Sequence, residues 1–375
     1  MQLFAIMLFT LSSLFSCSDG ASIVFAGDAM QHQAQIDAAK RAGDGVYDYS
    51  ECFEAVAPYI DAADYAVVNL ETPLGGAPYT GYPCFSAPDS YLDALKDAGF
   101  DLMLTANNHT LDKRDKGLVR TLDRLDEANV DHIGTYRNRA ERDSVIPLIR
   151  DINGFKVAFL NYTYGTNGIE LRSPAVVDYI DRNLMKSDIE RARRLGAEIV
   201  TVCIHWGIEY DLLPSKQQKA LADFISEADA DIIMGGHPHV IQPMEMRHKA
   251  DGRKVLVVYS LGNFISNMKT RDTRGGAMIK VDLARDPDGK ASVAAASYRL
   301  IFTVPPTGGK NFRLVPVEKC DESAWNAHCK AFEQSAESIF NRHNIGVTRD
   351  TTEIPTKKIT PIEIFFHKTF GTLKN

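Results

Sequence analysis

From residue 22 to about residue 265 the chain alternates short apolar runs with segments of helical period, and most of the apolar runs end on a side chain able to bind a metal. Apolar runs of strand length bounded by turn residues read as buried strands. Strands alternating with helices at this spacing predict a layered α/β domain. The runs cover residues 22–26, 65–68, 101–105, 157–160, 198–204, 230–234 and 255–259. Helices are expected over 49–62, 89–98, 117–128, 180–195 and 215–228, the last capped by Ser215. After residue 276 the texture changes. Residues 277–283 and 292–304 read as antiparallel strands joined through Asp288-Gly289, a hairpin signal. A helix over 322–342, a polar loop over 348–358 and a short closing helix over 361–370 complete the expectation.

A length of 375 residues allows one large domain or two medium ones. The net charge of −7 argues against a nucleic-acid partner, which calls for a basic face. Residues 3–15 are mostly apolar and uncharged, too short a stretch to span a bilayer, and Cys17 comes just after them. This predicts an export signal over 1–17. Its ending resembles a bacterial lipoprotein signal, which implies lipidation of Cys17, a membrane anchor and a place in the cell envelope. Export permits disulfides. Cys52 with Cys84, and Cys320 with Cys329, are pairs that could close loops, whereas Cys203 falls inside a buried strand and reads as a free core thiol.

The strand ends carry the chemistry. They supply Asp28, Asn69, Glu71, Asn108, His109, His205, His237 and His239. In open α/β sheets, ligands gather outside the carboxyl ends of the strands. Carboxylates, amides and imidazoles together suit a divalent transition metal. A bridging carboxylate can hold two such ions, which bind the oxygens of a phosphate-like group and activate water. Lys269, Arg271 and Arg274 come after the last of these strands, close to Asn263. They read either as a grip for an anionic substrate, with Asn69 and Asn263 beside it, or as a solvated basic loop. The loop 79–85, rich in aromatic residues and glycine, reads as a substrate wall or as simple packing.

In order and spacing, Gly27-Asp28-Ala29-Met30, Asn69-Leu70-Glu71, Asn107-Asn108-His109-Thr110-Leu111-Asp112, His205-Trp206-Gly207, Gly236-His237-Pro238-His239-Val240 and Ser260-Leu261-Gly262-Asn263-Phe264 resemble the motif series of the CapA-type (PgsA-like) poly-γ-glutamate capsule synthesis proteins. That family is related to the calcineurin-like metallophosphoesterases. The resemblance implies a four-layer α/β/β/α sandwich over 18–268, with 269–375 as a β-hairpin and helical extension packed on the same domain. It also implies one or two divalent ions (Mn, Zn or Fe). Asp28 and His239 would hold the first and Asn108, His205 and His237 the second, with Glu71 bridging. His109 would donate a proton to the leaving group, oriented by Asp112. Met30 stands where the wider superfamily has a histidine ligand. The function implied is that of a metal-dependent hydrolase of a phosphate ester or γ-glutamyl-type substrate at the cell surface, alongside capsule-synthesis partners. The alternatives are a non-catalytic polyanion-binding accessory protein and a 5′-nucleotidase-like phosphoesterase.

Overall fold

A computed structural model describes residues 20–353, apart from 173, 250–251, 308–310 and 321–323. The export signal with Cys17 and the closing helix expected over 361–370 lie outside the described residues. Two large sheets form the body. In the first, β1 (Gly20–Ala29), β2 (Tyr65–Leu70), β3 (Leu102–Leu104) and β4 (Asp131–Ile133) run parallel. A two-stranded ribbon pairs β5 (Thr135–Tyr136) with β8 (Val176–Val177). In the second sheet, β7 (Phe155–Thr163), β9 (Ile199–His205), β10 (Ile232–Gly236) and β12 (Lys254–Val258) run parallel. They are flanked by antiparallel β6 (Leu148–Ile152) and β11 (Met244–His248). Short β13 (Asn263–Ile265) returns to the first sheet, beside the end of β1. β14 (Gly275–Arg285) pairs antiparallel with β1, and β15 (Ala291–Val304) and β16 (Arg313–Pro316) extend that edge. β17 (Thr348–Arg349) lies parallel to β15.

Side-chain alternation explains the layering. In β1, Ile23 and Phe25 join the core between the sheets, while Val24 and Ala26 face the other way. β2 repeats this, with Tyr65 and Val67 inward and Ala66 and Val68 outward. The outward set packs with Ala38 and Ala39 of α1 (Gln33–Ala42), Ile60 of α2 (Ala57–Asp61), and Tyr91, Leu92 and Leu95 of α3 (Asp89–Asp97). α4 (Arg114–Glu127) comes after β3, and α5 (Arg139–Val145) after β5. In the second sheet Val157, Ala158, Phe159 and Leu160 are all buried, because both of its faces are covered. Met185 and Ile189 of α6 (Arg182–Arg194), with Ala222 and Ile225 of α7 (Lys216–Glu227), supply the outer cover. The order is therefore helix, sheet, sheet, helix. The last helix, α8 (Asn326–His343), packs Phe332 on Phe302 and Phe340 on Tyr298 of β15.

Several local expectations change. The helix expected over 49–62 is a short 3₁₀ turn, Ser50–Cys52, succeeded by α2, which begins with Pro58 in its first turn. Proline lacks the N–H a continuing helix needs and is tolerated only at a helix start. The helix expected from 322 begins at Asn326, and the polar loop after 347 opens with a strand. No disulfide joins Cys52 to Cys84 or Cys320 to Cys329, although the last two thiols lie side by side. Cys52 is buried while Cys84 is exposed, and the Cys329 thiol rests on the Val317 carbonyl at 3.7 Å. Cys203 is the buried core thiol expected, and burial pushes its ionisation up. Ser215 caps α7 through a reciprocal pair: its hydroxyl accepts from Gln218 N at 3.2 Å, and Gln218 Oε1 accepts from Ser215 N at 2.9 Å.

Candidate metal centre

The parallel strands of both sheets end at one cleft. β1 delivers Asp28, β2 delivers Asn69 and then Glu71, the turn after β3 delivers Asn107, Asn108 and His109, β9 ends on His205, and the turn after β10 carries His237 and His239. Close backbone approach makes this possible. A Cβ at Gly236 would sit 2.7 Å from Asp28 Oδ1, so only glycine lets β10 come this near the carboxylate. His237 has φ +99° and His239 φ +58°. Such conformations cost energy and persist where the surroundings hold them. Here His237 N donates to Asp28 Oδ2 at 3.1 Å, pinning the turn to β1.

The side chains form two overlapping groups. Asp28, Glu71 and His239 make one, and Glu71, His205 and His237 the other, each with ligand atoms within 4.8 Å of one another. Glu71 belongs to both. His205 Nε2 lies 3.5 Å from Glu71 Oε1 and 2.9 Å from Asn108 Oδ1, so Asn108 faces the same point. His239 Nδ1 lies 3.4 Å from Asp28 Oδ2, and its Nε2 lies 3.8 Å from Glu71 Oε1. Asn69 is a linker: its amide donates to Asp28 Oδ1 at 2.8 Å, and its oxygen accepts from Asn107 Nδ2 at 3.2 Å. Asn263 Oδ1 meets His239 Nδ1 at 3.0 Å.

The electrostatics call for a cation. Glu71 is wholly buried, and neither of its oxygens accepts a hydrogen bond; His237 Nδ1 is buried and unpartnered too. Leaving such atoms unsatisfied costs about 1–3 kcal/mol each, more when charged. Burial, reinforced by the nearby Asp28 charge, pushes the Glu71 carboxyl well above its usual range. Burial would push Asp28 up as well, but His239, His205 and Asn69 outweigh it and hold Asp28 low. His239 shows the converse: burial lowers it, while Glu71 and Asp28 raise it to about 9. Burial lowers His205 to about 3 and His237 to about 2, keeping both imidazoles neutral, the form that binds metal. Two buried carboxylates facing neutral imidazoles, with unpaired lone pairs between them, fit a divalent transition ion. His32, two residues beyond Met30, does not join either group: its Nδ1 meets Gln35 Oε1 at 3.2 Å and accepts from Asn267 N at 3.3 Å.

His109 stands beside this centre. Its Nδ1 lies 2.8 Å from Asp112 Oδ2, and that carboxylate also accepts from Phe85 N at 2.7 Å. An ionised carboxylate only accepts, so the proton sits on Nδ1 and leaves Nε2 free. Phe85 is fully buried, its ring edge-on to His109 at 4.6 Å, while Tyr82 is 74% exposed. The loop 79–85 is thus part packing and part open surface. The basic cluster is not drawn into the ligand groups. Arg271 forks onto Asp272 at 2.8 and 2.9 Å, Arg274 lies over the Trp325 ring at 4.9 Å, and Lys269 is exposed. Three neighbours carried no sequence signal as site residues. Tyr164 lies 4.5 Å from the His237 ring, Asn167 accepts from Asn108 Nδ2 at 3.3 Å, and Glu209 has a carboxylate oxygen within 4.8 Å of His237 and His239 nitrogens. Tyr164 also lines an open cavity of about 570 Å³ with Trp206, Gly207, Gln217 and Gln218.

Over 248 residues the chain is 30% identical to "Capsule biosynthesis protein CapA" of Bacillus anthracis, covering 63% of this chain and 59% of that protein. It is 29% identical over 288 residues to "PGA biosynthesis protein CapA" of Bacillus subtilis (strain 168), covering 73% and 71%. Among solved structures, the calcineurin-like phosphoesterase YfkN from Bacillus subtilis aligns over 86% of this chain and 98% of its own, at 14% identity and a TM-score of 0.44. Residues 22–268 match the family model described as "Bacterial capsule synthesis protein PGA_cap", and all the ligand-bearing strand ends fall within them; the chain belongs to that family.

Proposed function

We propose that this member of the capsule synthesis family is a metal-dependent hydrolase of an anionic substrate, a phosphate ester or a γ-glutamyl-type polymer, acting at the cell surface. The observation that carries the reading is Glu71: a wholly buried carboxylate, unpartnered at both oxygens, shared by two groups of ligands. Asp28, Glu71 and His239 would hold one ion, and Glu71, Asn108, His205 and His237 a second. Ions so held supply Lewis acidity at neutral pH. The chain's own residues do the rest. His109 presents Nε2 beside the centre, and Asp112, holding the Nδ1 proton, fixes the ring so that a second proton, taken up at Nε2 to give the imidazolium, can pass to a departing oxygen or nitrogen. Asn69 and Asn107 hold Asp28 and the Asn108 turn in place. The cavity beside Tyr164 has room for a substrate group. The placement at the cell surface rests on the apolar stretch before Cys17.

The test is His109→Ala in the full chain, loaded with Mn or Zn and assayed on phosphomonoesters, phosphodiesters and poly-γ-glutamate. Turnover should fall by about 10²–10⁴-fold, the usual worth of a general acid, while metal content stays the same. Metal bound with no turnover by the unaltered protein on any of these would point instead to a polyanion-binding accessory protein.

A further inference from the structure

The two ligand groups are unequally supplied. Glu71, Asn108, His205 and His237 give one ion four protein donors, whereas Asp28, Glu71 and His239 give the other only three. Zinc and similar ions in protein sites commonly take four ligands. A third grouping lies at the mouth of the cleft and shares one histidine with each set: Glu209, His237 and His239, again with ligand atoms within 4.8 Å of one another; of the two sets it touches, only the one with His239 lacks a fourth donor. The turn that carries Glu209 is strapped in place. Gly207 has φ +94° and Tyr210 φ +70°, turning the chain back sharply after His205. Tyr210 N then donates to the Pro238 carbonyl at 2.9 Å, tying this turn to the one that carries His237 and His239. Gln242 Nε2 holds the Asp211 and Leu213 carbonyls at 2.7 and 3.3 Å, and Gln218 braces Gln242 at 2.8 Å.

We infer that Glu209 is the fourth protein ligand of the ion held by Asp28, Glu71 and His239, closing the centre from its solvent side. This rests on the metal-centre reading above. An exposed carboxylate held within ligand distance of both histidines of the turn is otherwise poorly explained: Glu209 contributes nothing to the core, yet three separate contacts hold its turn over His237 and His239. As the exposed ligand, it is also the one an incoming anion can displace without unfolding a strand end.

The experiment is calorimetric titration of ZnCl₂ into the chelator-treated full chain, with bound zinc counted after dialysis, for the unaltered protein, Glu209→Gln and Glu209→Asp. Loss of a direct ligand should weaken one zinc by at least the roughly 10–100-fold that loss of an outer partner costs. Glu209→Asp should keep part of the affinity, and the melting temperature of the metal-free protein should not change. Binding by Glu209→Gln with the same affinity and count as the unaltered protein overturns the inference and leaves the metal centre standing. So does an equal loss in both variants accompanied by a lower metal-free melting temperature, which marks a structural role. If the unaltered protein binds no zinc, the metal centre itself falls, and Glu209 with it.

Discussion

Glu71 and His109 show how single side chains in this cleft depend on what surrounds them. Glu71 lies just past β2, and its two oxygens, neither of which accepts a hydrogen bond, suit a metal ligand better than a hydrogen-bonding role. Glu71→Gln keeps the shape and removes the charge. With a metal at about 100 times its Kd, the unaltered protein should gain about 2.7 kcal/mol of stability. Glu71→Gln should gain little, and its metal-free form should be at least as stable as the unaltered one near neutral pH, because it no longer has to bury a carboxyl that folding pushes toward its protonated form. Thermal melts with and without Mn, Zn and chelator check both outcomes. An equal metal-induced shift in the variant would count against Glu71 as the shared ligand. The histidines of the Gly236-His237-Pro238-His239 turn were legible in sequence, because two imidazoles past a buried strand are a strong pattern. Glu209 was not, because a glutamate on an exposed turn looks like any solvated charge until the turn is seen folded over those histidines.

At the level of elements, Asp131 joins three strands from two sheets. It lies on β4, accepts from the Tyr65 hydroxyl of β2 at 2.8 Å, and accepts from Arg150 Nε of β6 at 2.6 Å. Burial pushes the Asp131 carboxyl up, but the bonds from Arg150 and Tyr65 outweigh it and hold the carboxyl below its usual range. A carboxyl whose pKa is lower in the folded state adds stability above its unfolded pKa of about 3.9, and loses it as pH falls through the folded value. Asp131→Asn should therefore be less stable near neutral pH, with the difference shrinking below about pH 4. Urea unfolding across that range reads the effect, and a pH-independent difference would argue against it. Neither β4 nor β6 stood out in sequence. β4 spans only Asp131–Ile133, and β6 is buried only at its two ends, around the charged pair Arg150-Asp151, so their pairing partners define them. α1 was also missed, since its buried residues are Gln35, Ile36, Ala38 and Ala39, with one large apolar side chain among them, too weak a stripe to read alone. Its start is set by Gln35 Oε1 accepting from His32 N at 2.8 Å.

For the whole molecule, the family match ends at residue 268, but the first sheet does not. β14 pairs with β1 along Gly20–Phe25, the strand that delivers Asp28. Ile279, Val281 and Leu283 of β14, with Tyr298, Leu300 and Phe302 of β15, belong to the core between the sheets. A chain ending at residue 268 should therefore leave β1 with an unpaired edge and an open core, and should fail to give a protease-resistant domain. Limited proteolysis and circular dichroism of the truncated and full chains test this. A folded, metal-binding 18–268 fragment would show that the later strands merely decorate the sheet. The chain covers 59% of the Bacillus anthracis relative's length, so the activity of that whole protein comes to this chain as a proposal.

Order along the chain was enough to place strands, helices and most of the side chains that meet in the cleft, because a buried parallel strand is a short apolar run and the residues just past its carboxyl end lie at the sheet's rim. That logic located Asp28, Glu71, His205, His237 and His239 from the sequence alone. The tertiary structure decided what local pattern cannot encode. It set which strand ends face one another across the two sheets, and it took Arg271 and Arg274 into contacts of their own with Asp272 and Trp325. It also brought Glu209 over the cleft. Each of these depends on a distance between residues far apart in sequence, set by sheet packing and turn geometry rather than by the residues' own propensities.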